Sequence, residues 1–224
     1  MATELNARMI ERTRASGAIR SPAVEAAFQR TLRHLFLPGV ALDLVYSGNP
    51  IVTRSDPERG ITSSSSEVAV MAPMLEMLQL ERGHHVLEIG AGTGYNAALL
   101  DDLVGAEGEV TAIDNQPDVV DDARAHLLAA GRSRVQVVLG DGYQGRVEGA
   151  PYDRIIATAS VSDIPLAWRD QLREGGLVVV PLRFGPGANI VATFRRHGSR
   201  LDSVEAVVGG FMPLRSDDHG SRSR

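Results

Sequence analysis

The sequence predicts an α/β fold: a mostly parallel sheet with helices on both faces and an antiparallel C-terminal edge. Three observations carry that prediction. From residue 85 onward, short apolar runs alternate with longer amphipathic ones. A run of glycines separates the first apolar run from the helix signal after it. Acidic residues then recur where successive strands should end. Strands are expected over "HVLEIG", "EVTAID", "VQVVLG", "YDRIIATA" and "GLVVVPL", and helices over "YNAALLDDLV", "PDVVDDARAHLLAAG" and "IPLAWRDQL". The runs "NIVATFRR" and "SVEAVVGGFMPL" follow with no helix between them, which predicts the antiparallel edge hairpin.

Ahead of the alternation, residues 1–65 read as a helical and irregular segment, residues 66–215 as the core, and residues 216–224 as a polar, disordered tail. "SPAVEAAFQRTLRHLFLPG" starts on the N-cap residue Ser21 with Pro22 at the first helical position, and it stops at Pro38-Gly39. "SGNPIVTRSDPERG" is dense in turn formers and is expected on the surface. A helix should begin at Ser66, with Met71, Met74, Leu75 and Leu78 as its core stripe and Pro73 as a place to bend. The serine run before it, Ser63 to Ser66, specifies little structure of its own. It reads as a flexible cover whose last member, Ser66, caps the helix.

Bulk properties narrow the function classes. At 224 residues the chain suits one substantial domain. Its longest apolar runs fall far short of the ~20 residues that span a bilayer, and the charged N-terminus has no secretory pattern. The absence of cysteine excludes disulfides, thiolate metal sites and a cysteine nucleophile. A cytoplasmic location is the expectation, with no membrane partner. The net charge of −5 argues against sequence-blind nucleic-acid binding, and no Asn/Asp-Pro-Pro-aromatic amine-transfer motif occurs. His84 and His85 would point to opposite faces of a strand and have no carboxylate cluster nearby, so no metal is expected. His34 and Trp168 read as structural residues.

The informative stretch is "VLEIGAGTGYNAALL", Val86 to Leu100. Glycines at 90, 92 and 94 leave a strand and open a helix, where the backbone must turn tightly and admit a ligand. A dinucleotide fingerprint would need glycine at the position of Tyr95. Glu88, two residues before the first glycine, suits a cationic ligand and not a phosphate. S-adenosylmethionine carries a sulfonium and an ammonium and no phosphate. Asp114 stands 24 residues after Gly90, a spacing suited to accepting ribose hydroxyls. Asp141 in "LGDGY" ends the third strand and could accept from an adenine amino group. Each acid alone reads as a solvated loop residue; in order, at this spacing, they read as an S-adenosylmethionine site.

"GHHVLEIGAGTGYNAALL", "GDGYQG", "APYDRIIATAS" and "IPLAWRDQLREGGLVVVPL" together resemble the protein-L-isoaspartate (D-aspartate) O-methyltransferase family over roughly residues 24 to 214. The resemblance implies a Rossmann-like class I S-adenosylmethionine-dependent methyltransferase, without metal, that esterifies a carboxylate in a peptide or protein. By position, Glu88, Gly90, Gly92, Gly94, Asp114, Asp141 and Gly142 take cofactor-binding places, with Ala91, Asn115, Gly140 and Thr158 beside them. The family's substrate-touching serine falls on Ser66 by an ungapped count, or on Ser64 if the preceding threonine is matched; Ser65 lies between them. Glu67-Val68 stands where the family usually has a polar residue and proline.

That departure, the "ITSSSS" run and the closing "GFMPLR" look like divergent, actinobacterial-type members that methylate aspartate in ribosomally made, modified peptides. Their ester cyclises to aspartimide and can open to isoaspartate. Peptide aspartate methylation is therefore the first reading and isoaspartyl repair the alternative. A non-catalytic cofactor-binding partner protein is the third. No general base is required, because a carboxylate with a reference pKa near ~4 is already ionised at neutral pH. Neutral serines suit a reaction in which charge disappears in the transition state.

Overall fold

The computed structural model describes residues 1–58, 60–185 and 189–215. The expected tail at 216–224 lies outside the described residues. Helices α1 (Ala2–Ala15) and α2 (Pro22–Arg30) open the chain. Ser21 caps α2 as expected, its hydroxyl accepting from Val24 N at 3.2 Å. A short helix α3 (Leu42–Val45) precedes strands β1 (Ile51–Asp56) and β2 (Gly60–Ser65). Helix α4 (Val68–Met77) then buries Met71, Met74, Leu75 and Leu78, the stripe read from the sequence.

The alternating region follows its predicted order. It comprises β3 (His85–Ile89), α5 (Tyr95–Val104), β4 (Glu109–Asp114), α6 (Pro117–Ala129) and β5 (Gln136–Leu139). Then come β6 (Tyr152–Ala157), α7 (Leu166–Gln171), β7 (Leu172–Arg183), β8 (Asn189–His197) and β9 (Arg200–Val208). The sheet order is β5-β4-β3-β6-β7-β8-β9, with β3 to β7 parallel and β8 and β9 antiparallel. Strand order reverses at β3, whose neighbours are β4 and β6, so a crevice opens beyond its carboxyl end.

Successive strand residues serve opposite cores. Val86, Val110, Ile156 and Val179 face a cluster shared with α1, α2, α4 and α5, whereas Leu87, Ile113, Ile155 and Val178 face one built on Trp168, Tyr152 and Leu172. Burial on both faces explains why these strands read as continuous apolar runs.

Two local expectations are corrected. The serine run is not an unstructured cover: Ser63, Ser64 and Ser65 belong to β2 and pair with Arg54, Val52 and Ile51. Serines have weak strand preference, and β1 supplies the missing order through its ladder and its β-branched Ile51, Val52 and Thr53. The turn formers of "SGNPIVTRSDPERG" thus only partly predict the outcome, since β1 lies between them. Nor does Ser66 cap α4. The N-cap is Glu67, without a side-chain capping bond, and Ser66 is left between strand and helix.

Candidate active site

Tight backbone geometry at the end of β3 shapes the site. Gly90 adopts φ +95°, and a Cβ there would stand 2.6 Å from Thr158 Oγ1. That hydroxyl is held in place, donating to Gly90 O at 2.7 Å and lying 3.1 Å from Ile89 O. At Gly94, φ is +84°, and a Cβ would meet Leu127 and the Ala123 carbonyl of α6 at 3.1–3.2 Å. Glycine is required at both positions, at the first for the turn and at the second for close helix packing.

The crevice above this loop is walled by three pieces of chain. One is the glycine loop with the ends of β3, β4 and β6 and the turn after β5: Glu88, Gly90, Ala91, Gly92, Asp114, Asn115, Gly142 and Thr158. The second is the serine strand and its continuation, Thr62 to Glu67. The third is the segment after β9, from Gly210 to Arg215. Gly92 and Ser64 approach across the crevice, a Cβ on Gly92 standing 3.8 Å from Ser64 O.

Specific bonds hold the wall pieces together. Gln116 Nε2 donates to Thr62 O at 3.2 Å, and Arg54 of β1 pairs with Asp118 and Asp122 of α6. Met212 O accepts from Ser160 N and Leu214 N donates to Ser160 O, both at 2.8 Å, which docks the closing segment on the β6 end. Arg215 Nη2 donates to Ile61 O at 2.6 Å and Asn115 Nδ2 to Arg215 O at 3.2 Å, which ties that segment to β2 and β4.

The electrostatics centre on Glu88. Its side chain is fully buried; Oε1 accepts from Asn96 Nδ2 at 2.8 Å, while Oε2 has no partner. Burial pushes its pKa up to about 8, the Asn96 bond opposes this, and the charge of Asp114 adds to it. Burial likewise raises Asp114, against backbone N–H donors led by Gly92 at 3.2 Å and Gln116 at 3.2 Å. Two acids under one glycine loop, one with an unanswered buried oxygen, make a site complementary to a cation.

Most of the expected residues converge here, and three do not. Gly94 packs against α6 instead of the crevice. Gly140 and Asp141 line a second hollow with Gln144 and Arg146. Asp141 closes a turn over Gly142–Gln144 by accepting from Tyr143 N at 3.0 Å. Gly142 does reach the wall, positioned by buried Trp168, whose Nε1 donates to Gly142 O at 2.7 Å.

Among the candidate serines, Ser65 Oγ accepts from Arg33 Nη2 at 3.3 Å. Ser64 and Ser66 line the crevice half-buried, with no hydroxyl partner among the described residues. Sequence reasoning missed Asn96, Tyr95, Gln116 and the closing segment as walls. Asn96, a polar residue in the first turn after the glycines, was the one with a readable signal.

A family model for protein-L-isoaspartate(D-aspartate) O-methyltransferase matches residues 4–218. The chain belongs to this family. Within it, the protein-L-isoaspartate O-methyltransferase of Ignicoccus hospitalis is 36% identical over 211 residues, 94% of this chain and 97% of that one. A solved protein-L-isoaspartate O-methyltransferase superposes with TM-score 0.83 at 30% identity, over 95% of this chain and 66% of its own. A Plasmodium falciparum protein described as a protein-L-isoaspartate O-methyltransferase beta-aspartate methyltransferase, in complex with S-adenosyl-L-homocysteine, shares the fold. Its TM-score is 0.77 at 17% identity, over 93% and 97% of the two chains. The O-methyltransferase relatives carry the isoaspartate name, so the alternative substrate reading has better support than the first one. No helix of the described residues is long and apolar enough to cross a membrane.

Proposed function

We propose that this chain is an S-adenosylmethionine-dependent carboxyl O-methyltransferase acting on isoaspartyl residues of proteins or peptides. The carrying observation is the pairing, in one crevice, of the unanswered Glu88 carboxylate oxygen with unpartnered serine hydroxyls. Glu88, Asp114, Asn115 and the backbone of Gly90 to Gly92 would hold the cofactor, which supplies a methyl group on a sulfonium. Its cationic end suits Glu88, and its lack of phosphate suits a loop flanked by acids.

The substrate's carboxylate arrives already ionised, so the chain's task is to orient and dry it. Ser66, or Ser64 across from Gly92, would donate to one carboxylate oxygen and leave the other free to attack. A neutral donor suits that place, because the carboxylate charge vanishes on esterification. The cytoplasmic setting expected from the sequence goes with this reading.

The deciding experiment offers an isoaspartyl peptide and its aspartyl twin with S-adenosylmethionine and follows methyl-ester mass. Ester on the isoaspartyl peptide alone is expected; no ester on either would sink the proposal. Ester on the aspartyl peptide, followed by loss of water to aspartimide, would favour the biosynthetic reading. The observation behind that second reading is Val68, which follows the crevice residue Glu67 and stands where the family usually has proline. Ser66→Ala should lower kcat by about 10²-fold or more while leaving S-adenosylhomocysteine affinity within about twofold; unchanged turnover would remove Ser66 from this role.

A further inference from the structure

Behind the serine wall lies a buried cation. Arg33 is fully buried in the short turn Arg33–Phe36 that follows α2. Its Nη1 donates to Val45 O at 3.1 Å, and its Nη2 faces Asn49 O at 3.0 Å, Ser66 O at 3.0 Å, Ser65 Oγ at 3.3 Å and Ser65 O at 3.4 Å. Its Nε is buried without a partner. The guanidinium sits 5.9 Å from the centroid of the Tyr95 ring, and no carboxylate of the described residues pairs with it. Burial without an anion pulls its pKa below the ordinary arginine value, and the facing Tyr95 and Tyr46 oppose this. Guanidinium keeps its charge where ammonium would surrender it.

A buried positive charge with only carbonyl and hydroxyl partners is expensive unless an anion answers it. Ser65, Ser66 and Tyr95 touch Arg33 on one side and line the crevice on the other. We propose that Arg33 is a positioning residue for substrate, the buried counter-charge that draws the peptide's carboxylate to the serine wall without touching it. This rests on the carboxylate-methylation reading above. The arrangement resolves a conflict in the chemistry. A cation in contact with the carboxylate would hold the ground state too firmly, since the reaction neutralises that charge. A cation one layer back selects an anionic substrate and leaves only neutral hydroxyls in contact. The same fork also bonds the chain at Val45 and Asn49, which fixes the guanidinium one layer behind the crevice wall.

The test uses the full chain saturated with S-adenosylhomocysteine and measures, by calorimetry, binding of an isoaspartyl peptide and of the same peptide with its free carboxylate replaced by a carboxamide. The wild type is expected to prefer the carboxylate by about tenfold. In Arg33→Met that preference should collapse to about unity, with carboxamide binding and S-adenosylhomocysteine affinity little changed. A merely structural role would weaken both peptides alike, and that result, or a wild type with no preference, overturns the proposal. Should Arg33→Met not fold, Arg33→Lys decides, because a buried lysine loses its proton more readily than arginine. Its carboxylate preference should fall from about pH 6 to about pH 9 by more than the wild type's, in which Glu88 titrates in the same crevice. An equal change in both refutes the assignment. Failure of the wild type to esterify the isoaspartyl peptide instead sinks the proposed function, a separate readout.

Discussion

Glu88→Gln is expected to weaken S-adenosylhomocysteine binding roughly 30-fold near pH 8, about 2 kcal/mol, and to flatten its pH dependence. Glutamine can still accept from Asn96, so the cavity's shape is kept while its charge is lost. In the wild type the carboxyl titrates at about 8 in the free protein. The α-ammonium of S-adenosylhomocysteine favours the ionised form, so binding below that pH releases a proton. Wild-type affinity should therefore rise from about pH 6 to about pH 8, whereas the variant's should not.

The ligand-free protein offers an independent check. An unfolded glutamate titrates near ~4.3, so between there and about 8 the folded state keeps a proton that the unfolded state has lost. The stability this contributes is fully present below about pH 4, declines as pH rises, and is gone above about pH 8. Glu88→Gln should lose that decline, and its melting temperature should exceed the wild type's above about pH 8. Parallel melting profiles for the two proteins would refute the buried, raised carboxyl.

Gly90→Ala should destabilise the fold by about 2–4 kcal/mol and lower cofactor affinity by more than about tenfold. Two causes add. An alanine at φ +95° is strained whatever space it has, and its Cβ would stand 2.6 Å from Thr158 Oγ1. Thr158 cannot swing aside without giving up its bond to Gly90 O. Thr158→Ala removes the clash and leaves the backbone strain. In the double variant the two losses should therefore fall short of additive. Urea unfolding of the four proteins measures this, and strict additivity would show that Thr158 is not the obstacle.

The parallel core was legible because burial on both faces turns each strand into an apolar run. The glycine loop was legible because its φ values admit few other residues. Glu88, Asp114 and Gly90 to Gly92 could be read as one site since each lies at the end of a strand whose place in the sheet follows from the alternation. Asp141 was less legible: its side chain closes a turn by accepting from Tyr143 N, and the neighbouring Gly142 lines the crevice.

Sequence by itself determined the α/β class, the order of the elements after residue 85, the cation-suited glycine loop and the family resemblance. All of these rest on local periodicity or on backbone constraints carried by single residues. Only tertiary structure decided what the four serines are. Their strand exists through pairing with β1, Ser65 and the end of the run are held by Arg33 across 32 and 33 residues of chain, and Arg215 fastens Ile61 from 154 residues away. No local pattern encodes such partners, because hydrogen bonds and buried charge are satisfied by whatever the fold brings near, however distant in the chain.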